Sequence, residues 1–198
     1  MNHDVTILAL SRKWGGRCVA GYDHNDERIV RLVSDRLGGK LTVQFTEGIN
    51  LLDKVKVETI CSCPNEHQTE NVLIDLNCDI KISGKPSAIE DFGSLVQEDE
   101  NIFGNSYCKI NDASQLDHSF ELVKFKNMSI YVEDGKAKAD FYVGRTLHRW
   151  YRITDMVHER EPATIRSGYA VITLPPSDDF TKQKGYYKYI AAIYETCV

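Results

Sequence analysis

The stretch that decides the fold is SRKWGGRCVAGYDHNDERIVRLVS, residues 11–34. An apolar run of strand length, residues 5–10, ends just before it, and the paired glycines Gly15 and Gly16 allow the positive φ of a tight hairpin. A second run and the polar turn HNDE lead to a third. We predict the three strands at residues 5–10, 17–22 and 28–33. Consecutive strands joined by tight turns predict a meander, the start of a small β-barrel with basic residues at its rim.

The rest of the chain repeats this strand-and-turn pattern. The strongest hairpin signal is Asp134-Gly135 between two alternating runs. Residues 86–95 are typical of a short helix, with Ser87 as N-cap and Glu90 completing a capping box. Further strands are predicted at residues 41–45, 54–61, 71–76, 120–125, 129–132, 137–143, 150–154, 169–174 and 186–194. The chain is therefore expected to be mainly β.

Composition narrows the class of protein. With 198 residues and 42% hydrophobic content, the chain can bury a substantial core. No run of about 18 apolar residues is present, and the first residues lack the pattern of a signal peptide, so we expect a cytoplasmic protein. Six cysteines at irregular spacing do not suggest a disulfide framework and are expected to be thiols.

The net charge of −5 is unevenly distributed along the chain. Residues 1–65 carry 9 Lys and Arg against 8 Asp and Glu, residues 66–121 carry 3 against 12, and residues 122–198 carry 12 against 9. A solvated acidic surface would also explain the central block. The pattern favours a first β module at 1–85, an acidic and partly helical connector at 86–119, and a second β module at 120–198.

Five short strings carry a resemblance to a known family. They are SRKWGGRCVAG, RIVRLVS, HQTEN, YRITD and GYYKYIAAIY. Together they resemble the prokaryotic dual OB domain family. The resemblance implies two small OB-like antiparallel barrels joined by a short helical connector. It also implies binding of nucleic acid or nucleotides, in a phage-defence or mobile-element setting, with no established catalytic residue.

The residues themselves point to two candidate binding segments. The string GRTLHRWYR at 144–152 mixes cations with aromatic rings, as single-stranded nucleic acid requires for its phosphates and bases. Strict alternation would put His148, Trp150 and Arg152 on one face, and Arg149, Tyr151 and Ile153 on the other. Burial of Trp150 or Tyr151 in the core is the competing interpretation. The candidate contact residues are Arg12, Lys13, Trp14 and Arg17 at the first rim, and Arg145, His148, Arg149, Trp150, Tyr151 and Arg152 at the second.

Three weaker patterns also contain residue types used in binding, metal ligation or catalysis. Lys182, Lys184, Tyr186, Tyr187 and Lys188 form a further basic and aromatic set, which a solvated loop before a core strand would also explain. Cys61, Cys63, His67 and Cys78 supply zinc-type ligands, but their spacing is poor, so we predict structural thiols and no metal. Cys18, His148 and the acidic cluster of Asp155, His158 and Glu159 match no catalytic motif, so we predict no catalytic residue and no cofactor.

Three functions remain open at this point. The leading one is a non-catalytic module that binds nucleic acid, single-stranded or structurally distorted. The second is a regulatory subunit whose acidic middle, including Glu98, Asp99 and Glu100, docks a basic protein such as a nuclease or helicase. The third is a nucleotide sensor that uses the cleft between the two barrels.

Overall fold

The structure is a computed structural model that describes residues 1–13, 15–35, 37–176 and 185–196. Strands dominate it, and helical structure is limited to three 3-10 segments at Leu37–Gly39, Gln44–Thr46 and Ile89–Leu95 among these residues. The strands are β1 (Asn2–Lys13), β2 (Gly16–Asp23), β3 (Arg28–Val33), β4 (Lys54–Ser62), β5 (Asn71–Ile74), β6 (Lys81–Ile82), β7 (Lys109–Ile110), β8 (Phe120–Glu133), β9 (Lys136–Val143), β10 (Thr146–Ile153), β11 (Ala163–Thr173), β12 (Tyr186–Tyr187) and β13 (Tyr189–Glu195).

The first sheet closes on itself. Its pairings run from β1 through β2, β3, β5 and β4, and β4 pairs again with β1, with β6 added outside β4. All of these pairings are antiparallel except β3 with β5. The predicted meander of three strands is therefore the first half of the first barrel. Inward side chains such as Ile7, Val30 and Val55 form its core.

The second barrel follows the same ring of pairings. Strands β8, β9 and β10 form the meander, β13 pairs with β10 in parallel, and β11 closes the ring between β13 and β8. Its core is richer in large rings, with Phe125, Phe141 and Tyr151 fully buried. The predicted fold class, mainly β with two OB-like barrels, is confirmed.

The tight turns occur where glycine predicts them. Gly15 adopts a φ of 74° at the β1–β2 turn, and a side chain on Gly16 would meet the carbonyl oxygen of Leu41 at 2.4 Å. Asp134 and Gly135 both have positive φ, 51° and 69°, as the primed hairpin turn between β8 and β9 requires.

Three local predictions need correction. Residues 41–45 form no strand, because Thr42 and Thr46 make local hydrogen bonds that build the 3-10 turn Gln44–Thr46 instead. Residues 120–132 belong to one bulged strand rather than two. The helix at 86–95 is a 3-10 segment whose cap is Ala88, with its N–H bonded to Asp91 rather than to Glu90.

The segment 86–119 packs into the rest of the molecule. Ile89 and Phe92 contact the apolar layer between the barrels, and Ile102 and Ile110 belong to the core of the second barrel. Strand β7 also pairs with β12. The division at residues 85 and 119 stays a prediction. No helix in the described ranges is long and apolar enough to cross a membrane.

Strand β1 packs against both barrels, which explains why residues 5–10 are apolar without alternation. Ile7 and Leu10 point into the first barrel, while Leu8 and Ala9 contact the second across a layer that includes Ala191. The hydroxyl of Tyr194 donates to the carbonyl oxygen of Leu8 at 2.7 Å within the same layer. The sequence of a strand that is buried on both faces is a continuous apolar run, because neither face needs polar side chains.

A buried polar network links the two barrels beside this layer. The Arg31 guanidinium on β3 lies 3.3 Å from the Glu70 carboxylate and donates to the Ser119 hydroxyl at 2.7 Å. The Ser119 hydroxyl in turn donates to Glu70. All three residues are buried, and Ser119 directly precedes the first strand of the second barrel. The network therefore fixes the position of the start of β8, the first strand of the second barrel, relative to the first barrel.

We predict that Glu70→Ala lowers the free energy of unfolding by about 3–5 kcal/mol, because it leaves a buried guanidinium without its carboxylate. The double variant Arg31→Met with Glu70→Leu should lose less, since no unpaired charge remains. Urea denaturation measures both. The exposed pair of Asp26 and Arg28 provides the control, and Asp26→Ala should change stability little. A Glu70→Ala protein as stable as the wild type would contradict the role of the network.

Candidate functional site

The string 144–152 contains a β-bulge that decides which of its side chains face solvent. In the pairing of β10 with β9, His148 faces Phe141 and Tyr151 faces Ala139, so Arg149 and Trp150 together oppose one residue. Trp150 adopts a φ of 64°, and its N–H donates to the Asp140 carboxylate at 2.9 Å. The alternation predicted from the sequence is therefore wrong. The bulge turns both Arg149 and Trp150 outward.

The outward side chains form a mixed aromatic and cationic surface, here called the Trp150 face. Trp150 is 57% exposed and Tyr107, from the loop before β7, is 73% exposed. Arg149 and Lys109 line the same depression of about 660 Å³. Its described lining contains no Asp or Glu, although the chain as a whole is acidic.

Three buried residues of the second barrel hold the loop that carries Tyr107. His148 Nε2 donates to the Glu100 carbonyl oxygen at 2.9 Å, and the Tyr151 hydroxyl donates to the Tyr107 carbonyl oxygen at 3.0 Å. The Lys188 ammonium donates to the carbonyl oxygen of Asn105 at 2.9 Å, and burial lowers the pKa of this lysine to about 8. His148 and Tyr151 are thus core residues that position the face, not members of its surface.

A second candidate site is a cleft of about 500 Å³ between the barrels. Arg12 and Lys13 reach it from the end of β1, and Arg152 reaches it from β10. One end of each predicted rim, Arg12 and Lys13 from the first and Arg152 from the second, therefore meets the other at one opening. The buried Arg31 also lines the cleft, and the described lining again contains no Asp or Glu.

The other predicted contact residues lie elsewhere. Arg17 donates to the carbonyl oxygen of Thr46 at 3.3 Å and does not line the cleft. Arg145 is exposed in the β9–β10 turn, against the Glu100 carboxylate, whose pKa is lowered by hydrogen bonds from Thr146 and from the Arg145 backbone. Trp14 lies outside the described residues. So do Lys182 and Lys184, while Lys188 of the same set is buried.

Sequence reasoning missed several residues of both sites. Tyr107 and Lys109 belong to a segment that looks polar and irregular. Long-range contacts with Tyr151 and Lys188, and the pairing of β7 with β12, hold this segment to the second barrel. The cleft residues Gln68 and Asn71 belong to the string HQTEN. A readable signal was the repeated pattern of Arg31-Leu32-Val33 and Arg152-Ile153-Thr154 in the third strand of each barrel, since both arginines line the cleft.

The residues whose types suit metal binding or catalysis have structural roles. His67 bonds the Pro175 carbonyl oxygen at 2.9 Å, and Cys61, Cys63 and Cys78 do not gather around it into a ligand group.

Asp155 accepts the N–H groups of Val157 and Ile193, both at 2.7 Å, and so joins the end of β10 to β13. His158 lies beside Asp155, whose hydrogen bond raises the pKa of the imidazole.

One group of possible metal ligands went unnoticed in the sequence. His3, Asp23 and Asp26 approach one another at the β2–β3 turn. The imidazole of His3 bonds Asp23, which also accepts the N–H of Asn25 at 3.1 Å, and Asp26 pairs with Arg28. Each carboxylate thus has a partner within the turn.

Two barrels with the same ring of strands, packed through a shared apolar layer, define a tandem OB-fold protein. The chain matches the model of the Dual OB-containing domain over residues 3–193, and it belongs to that family.

Comparison with curated proteins gives no match. Among solved structures, the chain is similar to the Ifi202 HINa domain in complex with 20 bp double-stranded DNA, with 7% identity and a TM-score of 0.40 over 99% of this chain and 97% of that chain. It is also similar to a murine DNA-binding protein bound to double-stranded DNA, with 6% identity and a TM-score of 0.37 over 99% and 98%. Similarity at this level gives no argument about the ligand.

A half-exposed ion pair closes the base of the loop that carries Tyr107. Glu121 accepts the N–H of Phe103 at 3.0 Å and also lies 3.3 Å from His118. This hydrogen bond with Glu121 is the main reason that the pKa of His118 rises from 6.5 to about 9. The folded state therefore binds the imidazole proton more tightly than the unfolded state does.

We predict that the stabilisation from His118 is fully present below pH 6.5 and is lost as the pH rises through about 9, because the raised pKa belongs to the folded state. The stability difference between the wild type and His118→Gln, measured by urea denaturation from pH 6 to pH 10, should shrink over that window. A difference that stays constant with pH would contradict the pairing of His118 with Glu121.

Proposed function

We propose that the protein is a non-catalytic module that binds nucleic acid through the Trp150 face. The observation that carries the proposal is the joint exposure of Trp150 and Tyr107 beside Arg149 and Lys109. Exposed rings stack on unpaired bases, and cations neutralise the adjoining phosphates. Large aromatic side chains are usually buried. Two together at a depression whose described lining holds no Asp or Glu favour a ligand with flat rings and negative charge.

Single-stranded nucleic acid fits this face better than a duplex does. The bases of a duplex are stacked on one another and leave no ring for Trp150 or Tyr107, whereas unpaired bases present both faces. The rigid support from His148, Tyr151 and Lys188 favours a surface formed before the ligand arrives. Family membership supports the same class of ligand, and a prokaryotic defence or mobile-element setting is part of the proposal.

Docking of a basic protein partner is the alternative. Glu98 and Asp99 are exposed, as this requires. Glu100 is already engaged, because its carboxylate accepts the hydroxyl of Thr146 at 2.8 Å. The acidic surface available to a partner is therefore smaller than the sequence suggests, and the alternative predicts no oligonucleotide binding by the protein alone.

We predict that the wild type binds a short 5′-hydroxyl single-stranded oligonucleotide with an affinity that falls steeply as salt rises. Trp150→Ala should weaken binding by about 1–3 kcal/mol, because one stacked base is lost. Arg149→Ala should reduce the slope of log affinity against log salt by about 1, because one phosphate contact is lost. Fluorescence anisotropy at several salt concentrations measures both quantities.

Arg166→Ala is the matched control. It removes the same charge from an exposed position on β11, a strand that does not pair with β10, so both affinity and salt slope should stay at wild-type values. Absent or salt-independent binding by a folded wild type would overturn the proposal and favour the protein partner.

A further inference from the structure

The geometry points to a second ligand site, separate from the Trp150 face: the cleft between the barrels binds a phosphorylated nucleoside, either a free nucleotide or the terminal nucleotide of a strand. The cleft volume of about 500 Å³ lies within the range of small-molecule sites. Both barrels contribute to its walls, so the site requires the inter-barrel packing described above. Neither barrel alone forms it.

The charge of the cleft favours an anion. Four basic residues line it, and no carboxylate residue does so among those described. Arg31 is neutralised by Glu70, and Arg12 pairs with Glu159 at 2.6 Å. The Lys13 ammonium donates to the carbonyl oxygen of Gly38 at 3.3 Å, a neutral partner, and has no ion pair with any residue that the structure describes. Arg152 forms no ion pair within the described part of the chain and is exposed at the opening. Lys13 and Arg152 are thus the cations available to a phosphate.

The walls next to these cations suit a flat ring. The Arg152 guanidinium lies 5.8 Å from the centre of the Tyr189 ring, and Tyr189 lines the cleft. Leu174 and Pro175 extend this wall with apolar surface. Arg152 and Tyr189 thus place a cation and an aromatic surface in the same part of the cleft. A nucleotide offers a phosphate to the first and a flat ring to the second.

A buried amide supplies a hydrogen-bonding group in the wall. Asn71 lines the cleft, is 4% exposed, and its Oδ1 has no hydrogen-bond partner. Its Nδ2 is directed towards Gln68 Oε1 at 3.4 Å, and Gln68 donates to the Leu174 carbonyl oxygen at 2.9 Å across the barrel interface. The orientation of Asn71 is therefore fixed, and a buried acceptor without a partner is costly unless a ligand or water donates to it. The N–H groups of a base are donors of this kind.

The probes are the 5′-monophosphates of adenosine, guanosine, cytidine and uridine, titrated by calorimetry. At least one should bind the wild type, and Arg152→Ala should weaken it by about tenfold, because a charged hydrogen bond to phosphate is lost. Lys13→Ala should weaken it similarly. Arg166→Ala, which removes an exposed arginine far along the ring of strands, should leave nucleotide affinity unchanged.

Two arms distinguish the sources of the phosphate. Binding of a free monophosphate identifies a nucleotide site. If none binds, but a 5′-phosphorylated oligonucleotide binds more tightly than its 5′-hydroxyl form and Arg152→Ala removes the difference, the ligand is a strand end. The inference is overturned if no monophosphate binds and the two strand ends bind equally, or if Arg152→Ala changes nothing.

The cysteines locate the bound probe. Cys18 and Cys63 line the cleft, whereas Cys61 is exposed on β4 and lies outside it. A saturating monophosphate should slow iodoacetamide alkylation of Cys18 and Cys63 and leave Cys61 unaffected, as followed by mass spectrometry. Equal rates with and without a bound probe would place it elsewhere. The affinity of Trp150→Ala for the 5′-hydroxyl oligonucleotide tests the Trp150 face separately. The experiments can therefore disprove one site while the other stands.

Discussion

The parallel pairing of the third strand with the last strand is the constraint on which both barrels depend. Among the described strands of each ring, every other pairing is antiparallel. Without the parallel pairing the meander would remain an open sheet. The pairing places Arg31 opposite Asn71 in the first barrel and Arg152 opposite Tyr189 in the second. The side chains that line the cleft are thus next to the contacts that close the barrels.

The two barrels use this same position for different purposes. Arg31 is buried and paired with Glu70, so it stabilises the joint between the barrels. Arg152 is exposed and lies over an aromatic ring, so its charge is accessible to a ligand. Three of the strings that carry the family resemblance supply residues to the interface between the barrels. Gln68 of HQTEN bonds Leu174, Thr154 of YRITD accepts the N–H of Arg12, and Ala191 of GYYKYIAAIY lies in the shared apolar layer. The residues of these strings thus hold the two barrels together as well as lining a possible ligand surface.

Much of the fold could be predicted because turns and apolar runs act locally. Asp134-Gly135 and the run at residues 5–10 determine a hairpin and a strand whatever surrounds them. The site could be predicted less well, because the positions of its members depend on features without a local signal. The bulge at Trp150 needs Asp140 on the neighbouring strand. The loop that carries Tyr107 is held by hydrogen bonds from Tyr151 and Lys188, which lie far along the chain. Composition identified Arg149 and Trp150 as candidates, but only the register of the bulge separates them from the buried His148 and Tyr151.

The backbone of Trp150 also bears on how this position is selected. A residue other than glycine in the left-handed region costs roughly 1–3 kcal/mol, and the indole recovers little by packing because more than half of it is exposed. Considered for folding alone, glycine would be the better residue at this bulge. The chain therefore accepts a small loss of stability where it exposes an indole ring. Substitutions at position 150 that raise stability should weaken binding, so mutational screens for the two properties should rank them in opposite order.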